Sequence, residues 1–371
     1  MIGEVRPEER GMEPFKIHPD IAQASTLPSR VYSDPGVFDA CRERIFARSW
    51  QLVGDAGDVK APGQVQPLTM LDGFLGEPLL LTRDERDVMH CLSNVCTHRG
   101  NLVCERGGTQ RTLTCRYHGR RFSLDGCFKS MPEFESASGF PSSKDDLPDV
   151  AMGQWGPFVF ASLKPACSFA EFIGPMRDRL AWLDLGSLAH EPARSKDYLV
   201  RANWALYCDN YLEGFHIPFV HASLSDVLDY GSYRTELQSW SVLQLGVAKG
   251  GEDALAPPEG SPDAGQPIAA YYYWLFPNTM MNVYPWGISV NIVRPLAVDL
   301  TKVSFLTYVW DRSKLDRGAG ADIDRVERED ESIVEAVQRG VRSRLYDRGR
   351  YSPTREQGVH HFHRLLASAL E

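Results

Sequence analysis

The chain contains 371 residues, of which 43% are hydrophobic and 24% are charged. This length and composition predict two or three folded domains and exclude overall disorder. The 40 basic and 49 acidic residues give a net charge of −9, which excludes non-specific nucleic-acid binding because such binding needs a basic surface.

The first 44 residues predict an irregular leader followed by a helix. Ser33-Asp34-Pro35 is typical of a helix start, and apolar residues recur at helical spacing as far as Phe46. The leader lacks the apolar segment of a secretory signal peptide, so we expect a cytoplasmic protein whose eight cysteines are reduced or metal-bound.

Residues 45–165 predict a small all-β domain. Short apolar runs, such as those at 78–82 and 158–161, alternate with Gly, Asp and Pro residues that are typical of turns.

Two Cys/His pairs lie in this β region, Cys96 with His98 and Cys115 with His118. Three interpretations are open: two unrelated coincidences, a structural zinc site, or a Rieske [2Fe–2S] cluster. Zinc sites more often pair one cysteine with another at close spacing. A Rieske cluster needs two cysteines on one iron and two histidines on the other, and one of each from two β loops meets that need. The pattern therefore favours the Rieske cluster.

Residues 166–371 predict a mixed α+β domain. The predicted elements are helices near 169–183, 204–216 and 322–341, a C-terminal helix, and strands near 268–276, 288–294 and 302–310. The polar stretch 249–266 predicts an exposed loop. The uncharged stretch 264–293 contains prolines and asparagines that a membrane helix would have to hide, so it predicts buried strands and no membrane span.

A second group of candidate site residues lies in the predicted helix 204–216, in which Asp209 and Glu213 are candidate catalytic residues and His216 is a candidate metal ligand. Asp209, Glu213 and His216 follow the spacing i, i+4, i+7, which would place them on one helix face. A proline at 218 would then end the helix and let His221 turn back toward His216. Two histidines and one carboxylate form the facial triad that holds Fe(II) and leaves positions open for O2.

The third ligand of such a triad is expected on the predicted helix 322–341. Its apolar stripe is formed by Val326, Ile333, Val334, Val337 and Val341. Asp330 lies on that stripe, where a carboxylate is costly unless it is paired or bound to metal. Pairing with Arg328 is the alternative, and Glu329 and Glu331 are lesser candidates for the ligand.

Three more histidines, at 360, 361 and 363, lie in the predicted C-terminal helix. We interpret them as packing or surface residues and not as metal ligands.

Both motifs resemble those of Rieske non-haem iron oxygenases. The resemblance rests on Asn94–Gly100 with Cys115–Gly119, and on Asp209–His221, and it extends from Trp50 through the last helix. Each cluster loop lacks the additional cysteine of respiratory Rieske proteins. The sequence departs from the family pattern in having Arg116 and Arg120 in place of the usual Pro and Trp, and Glu213 in place of the commoner Asp.

The resemblance implies an oxygenase α subunit with an N-terminal Rieske domain and a helix-grip-like catalytic domain. It also implies a head-to-tail homotrimer, or a dimer of trimers, in which Glu213 links a cluster histidine of one subunit to an iron histidine of the next. Electrons would come from NAD(P)H through a separate flavin/iron–sulfur reductase or a ferredoxin, because this chain has no dinucleotide-binding fingerprint.

The substrate is the least determined part of this interpretation. The candidate pocket residues are Tyr207, Phe215, Tyr272, Trp274, Met281, Tyr284, Trp286 and Asn291, although any one aromatic residue can equally belong to the core. Aromatic rings suit a quaternary ammonium group. Glu213 and the segment 277–282 resemble the branch of choline, betaine and carnitine monooxygenases.

Two alternatives to a quaternary ammonium substrate remain. One is the hydroxylation of an aromatic ring or aromatic acid, with Arg201 or Arg294 binding a carboxylate. The other is a Rieske electron carrier whose second domain is inactive.

Overall fold

The computed structural model describes residues 14–250 and 253–371 of the chain. The predicted leader falls partly on residues 1–13, outside the described residues. The predicted first helix is present as α1 (Pro35–Arg44), and Asp34 caps it by accepting hydrogen bonds from two amides of the first turn.

Three small antiparallel sheets form the N-terminal part of the fold. Their strands are β1 (Gln51–Asp55), β2 (Gln64–Met70), β3 (Glu77–Arg83), β4 (Met89–Ser93), β5 (Gly108–Thr109), β6 (Leu113–Thr114), β7 (Arg121–Phe122), β8 (Phe128–Ser130), β9 (Ala151–Trp155) and β10 (Phe158–Ser162). The strand orders are β1-β10-β9, β4-β3-β2-β5 and β6-β7-β8. The first Cys/His pair follows β4 and the second follows β6.

A larger antiparallel sheet forms the second part of the fold. Its strands are β11 (Ala189–His190), β12 (Lys196–Val200), β13 (Arg234–Gln238), β14 (Ser241–Val247), β15 (Ile268–Leu275), β16 (Thr279–Tyr284), β17 (Gly287–Ala297) and β18 (Leu300–Val309). The order is β11-β18-β17-β16-β15-β14-β13, and β12 also pairs with β18. The uncharged stretch forms buried strands, as predicted, although the sequence pattern missed β16.

The remaining helices pack on this sheet. They are α2 (Phe169–Arg179), α3 (Trp204–Tyr211), α4 (Ile217–Val220), α5 (Ala222–Val227), α6 (Ile323–Gly340) and α7 (Gln357–Leu370). The predicted fold class is confirmed: a β-rich first part is followed by a domain with one antiparallel sheet and helices. No helix in the described part of the chain is long and apolar enough to cross a bilayer.

The alternation of side chains along β15 defines two faces of the large sheet. Tyr271 and Tyr273 belong to the core that includes Phe172 on α2. Trp274 lies on the opposite face and contacts Phe362 on α7, with ring centroids 5.1 Å apart. The face that carries Trp274 is therefore the one that α3, α6 and α7 cover.

Candidate metal centres

The two Cys/His loops have the same backbone geometry. The amide of Gly100 donates to the carbonyl of Cys96 at 3.0 Å, and the amide of Gly119 donates to that of Cys115 at 2.9 Å. Both glycines have a φ of 71°, a left-handed conformation that other residues adopt only with strain. Two short loops of equal shape thus present one thiol and one imidazole each.

The loops bring their four donor groups together. The rings of His98 and His118 lie 4.7 Å apart, and the thiols of Cys96 and Cys115 lie close enough to affect each other's pKa. Nδ1 of His98 is buried and has no hydrogen-bond partner within the protein. A buried ring nitrogen without a partner is rare, and a metal ligand accounts for it. The two thiols and two imidazoles, one of which has this unpartnered nitrogen, fit a Rieske cluster.

Arg120 connects the two cluster loops through Asp145. Its guanidinium is buried and donates to the side chain of Asp145 at 2.7 Å and to the carbonyl of the same residue at 2.9 Å. Thr97, in the first loop, donates to that carbonyl at 2.8 Å. Arg116, the other departure from the family pattern, is exposed and pairs with Glu105. Of these two arginines, it is therefore Arg120 that helps to hold the cluster loops in place.

The second centre is formed by His216, His221 and Asp330, which the structure brings together. The two Nε2 atoms lie 3.1 Å apart, and Oδ1 of Asp330 lies 3.0 Å from Nε2 of His221 and 3.5 Å from that of His216. Three ligand atoms thus form one small triangle. Two imidazoles and one carboxylate fit the facial triad of non-haem iron. Their assignment as ligands stays a prediction.

The other ring nitrogen of each histidine faces a second carboxylate. Nδ1 of His216 lies 2.6 Å from Oε1 of Glu213, and Nδ1 of His221 lies 2.8 Å from Oε2 of Glu329. Carboxylates in this position fix the tautomer and orientation of metal-binding imidazoles, so that both Nε2 atoms remain available to a metal. Glu329 therefore orients His221. It was a lesser candidate for the metal ligand, but its contact is with Nδ1 of His221, on the side of the ring away from Asp330.

The predicted helix through His216 is wrong. Helix α3 ends at Tyr211, so Asp209, Glu213 and His216 do not share a helix face. The side chain of Glu213 instead accepts hydrogen bonds from the amides of Phe215 and His216. The proline at 218 lies in the first turn of α4, where its missing amide hydrogen costs nothing, and His221 follows α4 directly. The turn back toward His216 is thus made by a short helix that begins at Ile217 and has the proline in its first turn.

Asp209 lies apart from the triad. It accepts a hydrogen bond from the hydroxyl of Tyr32 at 2.8 Å, and its other oxygen lies 2.8 Å from Nε2 of His363. It does not line the cavity described below. His363 belongs to α7 and is buried, as expected for a packing histidine.

The apolar stripe predicted on α6 is only partly buried. Val334 and Val341 are buried, whereas Ile333 is 40% exposed and Val337 is 42% exposed. The buried face includes Glu327 instead, which the sequence analysis did not single out.

A cavity of about 110 Å³ opens between the large sheet and helices α3 and α6, beside the triad. Its aromatic lining is formed by Tyr207, Tyr211, Tyr233, Tyr272, Tyr284 and Phe305. Burial raises the pKa of Tyr207, Tyr211 and Tyr272 well above the usual value, so these phenols stay neutral. Amide side chains of Asn210, Gln244, Asn282 and Asn291 complete the wall.

The cavity contains four of the eight candidate pocket residues, Tyr207, Tyr272, Tyr284 and Asn291. Four others do not line it. Met281 faces the opposite side of the sheet, and Trp274 lies under α7. Trp286 stacks behind Tyr284 at 5.2 Å, and Phe215 is on the surface. The alternation along β16 places Met281 on the face opposite to Tyr284, and it could have excluded Met281 had β16 been recognised.

Three residues of the cavity wall were not predicted from the sequence, namely Tyr211, Tyr233 and Glu327. Tyr211 lies two residues before Glu213 in the motif, and its hydroxyl donates to Asn282 at 2.7 Å across the cavity wall. Glu327 lies one helical turn before Asp330, a spacing that could have identified it. Arg201 and Arg294, the candidates for binding a carboxylate, do not line the cavity.

The fold and both sites define a Rieske-type oxygenase subunit, and comparisons with known proteins agree. Residues 49–141 match the Rieske [2Fe-2S] domain, and residues 185–371 match the catalytic domain of the ring hydroxylating alpha subunit. The chain belongs to this family of ring-hydroxylating α subunits. It is accordingly an oxidoreductase that uses a Rieske cluster and a mononuclear iron, and the donor sets described above fit both.

Individual relatives cover nearly the whole chain. Choline monooxygenase from Arabidopsis thaliana is 32% identical, over 93% of this chain and 83% of its own. The oxygenase subunit of carnitine monooxygenase from Escherichia coli is 30% identical, over 94% of this chain and 95% of its own. Among solved structures, the quaternary ammonium Rieske monooxygenase CntA has the same fold, with a TM-score of 0.75 and 24% identity over 95% of this chain and 97% of its own.

Proposed function

We propose that this protein is the terminal oxygenase of a multicomponent system that hydroxylates, or oxidatively demethylates, a small quaternary ammonium compound. The observation that carries the proposal is the tyrosine-rich cavity beside the triad. The rings of Tyr272 and Tyr284 lie 6.0 Å apart, and those of Tyr233 and Tyr272 lie 6.5 Å apart, so several ring faces border one small space. Such faces attract a cation that cannot donate hydrogen bonds.

The size of the cavity supports a small substrate. Pockets for drug-sized ligands measure roughly 300–1,000 Å³. The volume here is about 110 Å³, which suits a trimethylammonium group with a short chain better than a fused aromatic ring system. The relatives named as choline and carnitine monooxygenases support the same class of substrate.

The roles of the metal-site residues follow from their donor atoms. In our proposal residues 45–165 form the Rieske domain, in which Cys96, His98, Cys115 and His118 hold the cluster. Residues 166–371 form the catalytic domain, in which His216, His221 and Asp330 hold Fe(II). The iron supplies the binding and activation of O2. The protein itself excludes water through its aromatic walls and fixes each imidazole through the carboxylates at 213 and 329.

We further propose a head-to-tail trimer, in which Glu213 reaches a cluster histidine of the neighbouring subunit. Exposed apolar side chains on both surfaces support such docking. Tyr117, beside the cluster, is 56% exposed, and Phe219, beside the triad, is 82% exposed. In our proposal the neighbouring subunit covers both side chains. NAD(P)H electrons would enter through a separate reductase or ferredoxin, in the cytoplasm.

The experiment that tests the proposal uses protein purified without oxygen and reconstituted with a Rieske-system reductase. The iron content should reach three atoms per chain and the acid-labile sulfide content two. The cluster contributes two of each, and the triad holds the third iron. Choline, glycine betaine and carnitine are then compared with benzoate and naphthalene. The expected result is NADH oxidation coupled to an oxygenated product for a quaternary ammonium compound. Coupling only with an aromatic compound would overturn the proposed substrate class, and two irons per chain after Fe(II) addition would overturn the oxygenase itself.

A further inference from the structure

Glu327 is a buried carboxyl group in the cavity wall that the metal centres do not use. Its side chain is 3% exposed and lines the cavity from α6, one helical turn before Asp330. Oε2 accepts a hydrogen bond from the hydroxyl of Tyr207 at 2.6 Å. Oε1 is buried and has no hydrogen-bond partner within the protein. No protein group occupies this oxygen, so it is available for a charge contact with a bound cation, which needs no hydrogen bond.

Glu327 has no basic side chain as a partner among the described residues that line the cavity. Three acidic side chains line it, and two of them are committed: Asp330 to the triad and Glu213 to His216. Among the described residues that line the cavity there is no lysine and no arginine. Burial raises the pKa of the Glu327 carboxyl well above its ordinary value, because an ion there has lost its water. A positive charge placed in the cavity would offset this cost.

We propose that Glu327 is the counter-ion of the substrate's quaternary ammonium nitrogen and selects substrates that carry a net positive charge. The inference rests on the proposed function and goes further, because tyrosine faces alone do not distinguish a cation from a zwitterion that contains the same head group. A carboxylate on the substrate would share the cavity with Glu327 and Asp330 and would find no lysine or arginine there. A singly charged alcohol such as choline should therefore bind more tightly than glycine betaine.

The test is a binding measurement and not a rate. The ferrous holoenzyme is titrated in a calorimeter without oxygen or reductase, so that nothing turns over. The probes are choline, glycine betaine and the uncharged tert-butyl analogue of choline, in which carbon replaces nitrogen. This analogue keeps the shape of choline and removes only its charge.

The central variant is E327Q, which keeps the size of the side chain and removes its charge. We expect the Kd of choline to rise roughly tenfold or more, and that of the uncharged analogue to stay within about twofold. E331Q is the matched control, since Glu331 lies on the same helix and does not line the cavity. Iron content and the visible spectrum of each variant verify that both metal centres are intact.

Y207F provides a second variant that retains the carboxyl group at Glu327. Loss of the phenol hydroxyl removes the one hydrogen bond that stabilises the ionised carboxylate. The Kd of choline should rise by about threefold, with that of the uncharged analogue again unchanged.

The outcomes separate this inference from the proposed function. If E327Q weakens choline and its uncharged analogue equally, or weakens neither, the counter-ion role is wrong while the substrate class stands. If glycine betaine binds the native protein more tightly than choline, the selection for net positive charge is wrong. If the native protein binds no quaternary ammonium compound, the proposed substrate class fails, and this inference fails with it.

Discussion

The two metal centres of this protein are built in different ways. The cluster donors lie between residues 96 and 118, on two loops that repeat one backbone geometry. The triad joins His216 and His221 to Asp330, which lies 109 residues beyond His221 on a different helix. The first centre is therefore specified by local sequence, and the second depends on how α6 packs against the segment that follows α3.

The two centres also differ in their surroundings. The cluster loops carry the exposed side chain of Tyr117, whereas the triad borders a tyrosine-rich cavity. A centre near the surface suits the entry of electrons, and a centre beside a cavity suits a substrate that must be shielded from water. This contrast predicts that damage to one centre leaves the other folded.

Replacement of His216 by alanine is expected to have the largest effect. The variant should lose one iron per chain and all turnover, because a triad with two ligands no longer fixes the metal. The visible spectrum of the cluster should stay unchanged. Metal analysis and absorption spectra of the purified protein measure both. H361A is the control, since His361 lies on α7 and its ring pairs with the carbonyl of Gln238, away from both metal centres. A colourless H216A protein would show that the two centres are not independent.

The same contrast explains what the sequence could and could not predict. Cys96, His98, Cys115 and His118 were identified because a C-x-H and a C-x-x-H at this spacing admit few alternatives. The buried strands β15 and β17 were likewise evident from their uncharged, β-rich sequence. Both inferences use only neighbouring residues.

Predictions that depended on tertiary packing were less accurate. The spacing of Asp209, Glu213 and His216 fits a helix, but α3 ends at Tyr211. The carboxylate at 213 instead accepts hydrogen bonds from the two amides that precede α4. Glu327 was missed because an acidic residue in the acidic sequence of α6 looks like a surface residue. Its burial arises from Tyr207, 120 residues earlier, which no local pattern shows.

Replacement of Glu213 by glutamine tests whether the two centres communicate through this side chain. Glutamine can still accept a hydrogen bond from His216, so both metals should remain bound. Electron transfer between them should slow by about 10–100-fold, because the charge that orients the imidazole is lost. Single-turnover reoxidation of the reduced cluster, followed by its absorbance, measures this rate. E331Q serves again as the control, and reoxidation at the native rate would contradict the bridging role.

Replacement of Asp145 by asparagine tests what fixes the cluster loops. The side chain of Arg120 is 2% exposed, so the loss of its charged partner leaves a buried cation without compensation. The cluster end of the protein should be destabilised by about 3 kcal/mol. The measurement is the urea midpoint at which the visible absorbance of the cluster is lost.

The exposed pair of Arg116 and Glu105 is the matched control for this variant. E105Q should change the stability by less than about 1 kcal/mol, because exposed ion pairs contribute little. Equal midpoints for D145N and E105Q would show that the buried pair does not hold the loops. A shift in iron content at the triad would show instead that the effect is not confined to the cluster end.

The smallest expected effect concerns acid, and it separates the charge of Asp145 from its shape. The hydrogen bond from Arg120 holds the pKa of the Asp145 carboxyl below its ordinary value of 3.8. A group whose pKa is lower in the folded state stabilises the fold above the unfolded value, and this contribution disappears as the pH falls through the folded value. The difference in urea midpoint between the native protein and D145N should therefore be complete near neutral pH and shrink below about pH 4.

A difference that stayed constant down to about pH 3 would mean that asparagine disturbs packing and that the ion pair contributes nothing. D145N does not alter the triad. The effect of pH on the difference in urea midpoint should therefore arise at the cluster loops and not at the triad.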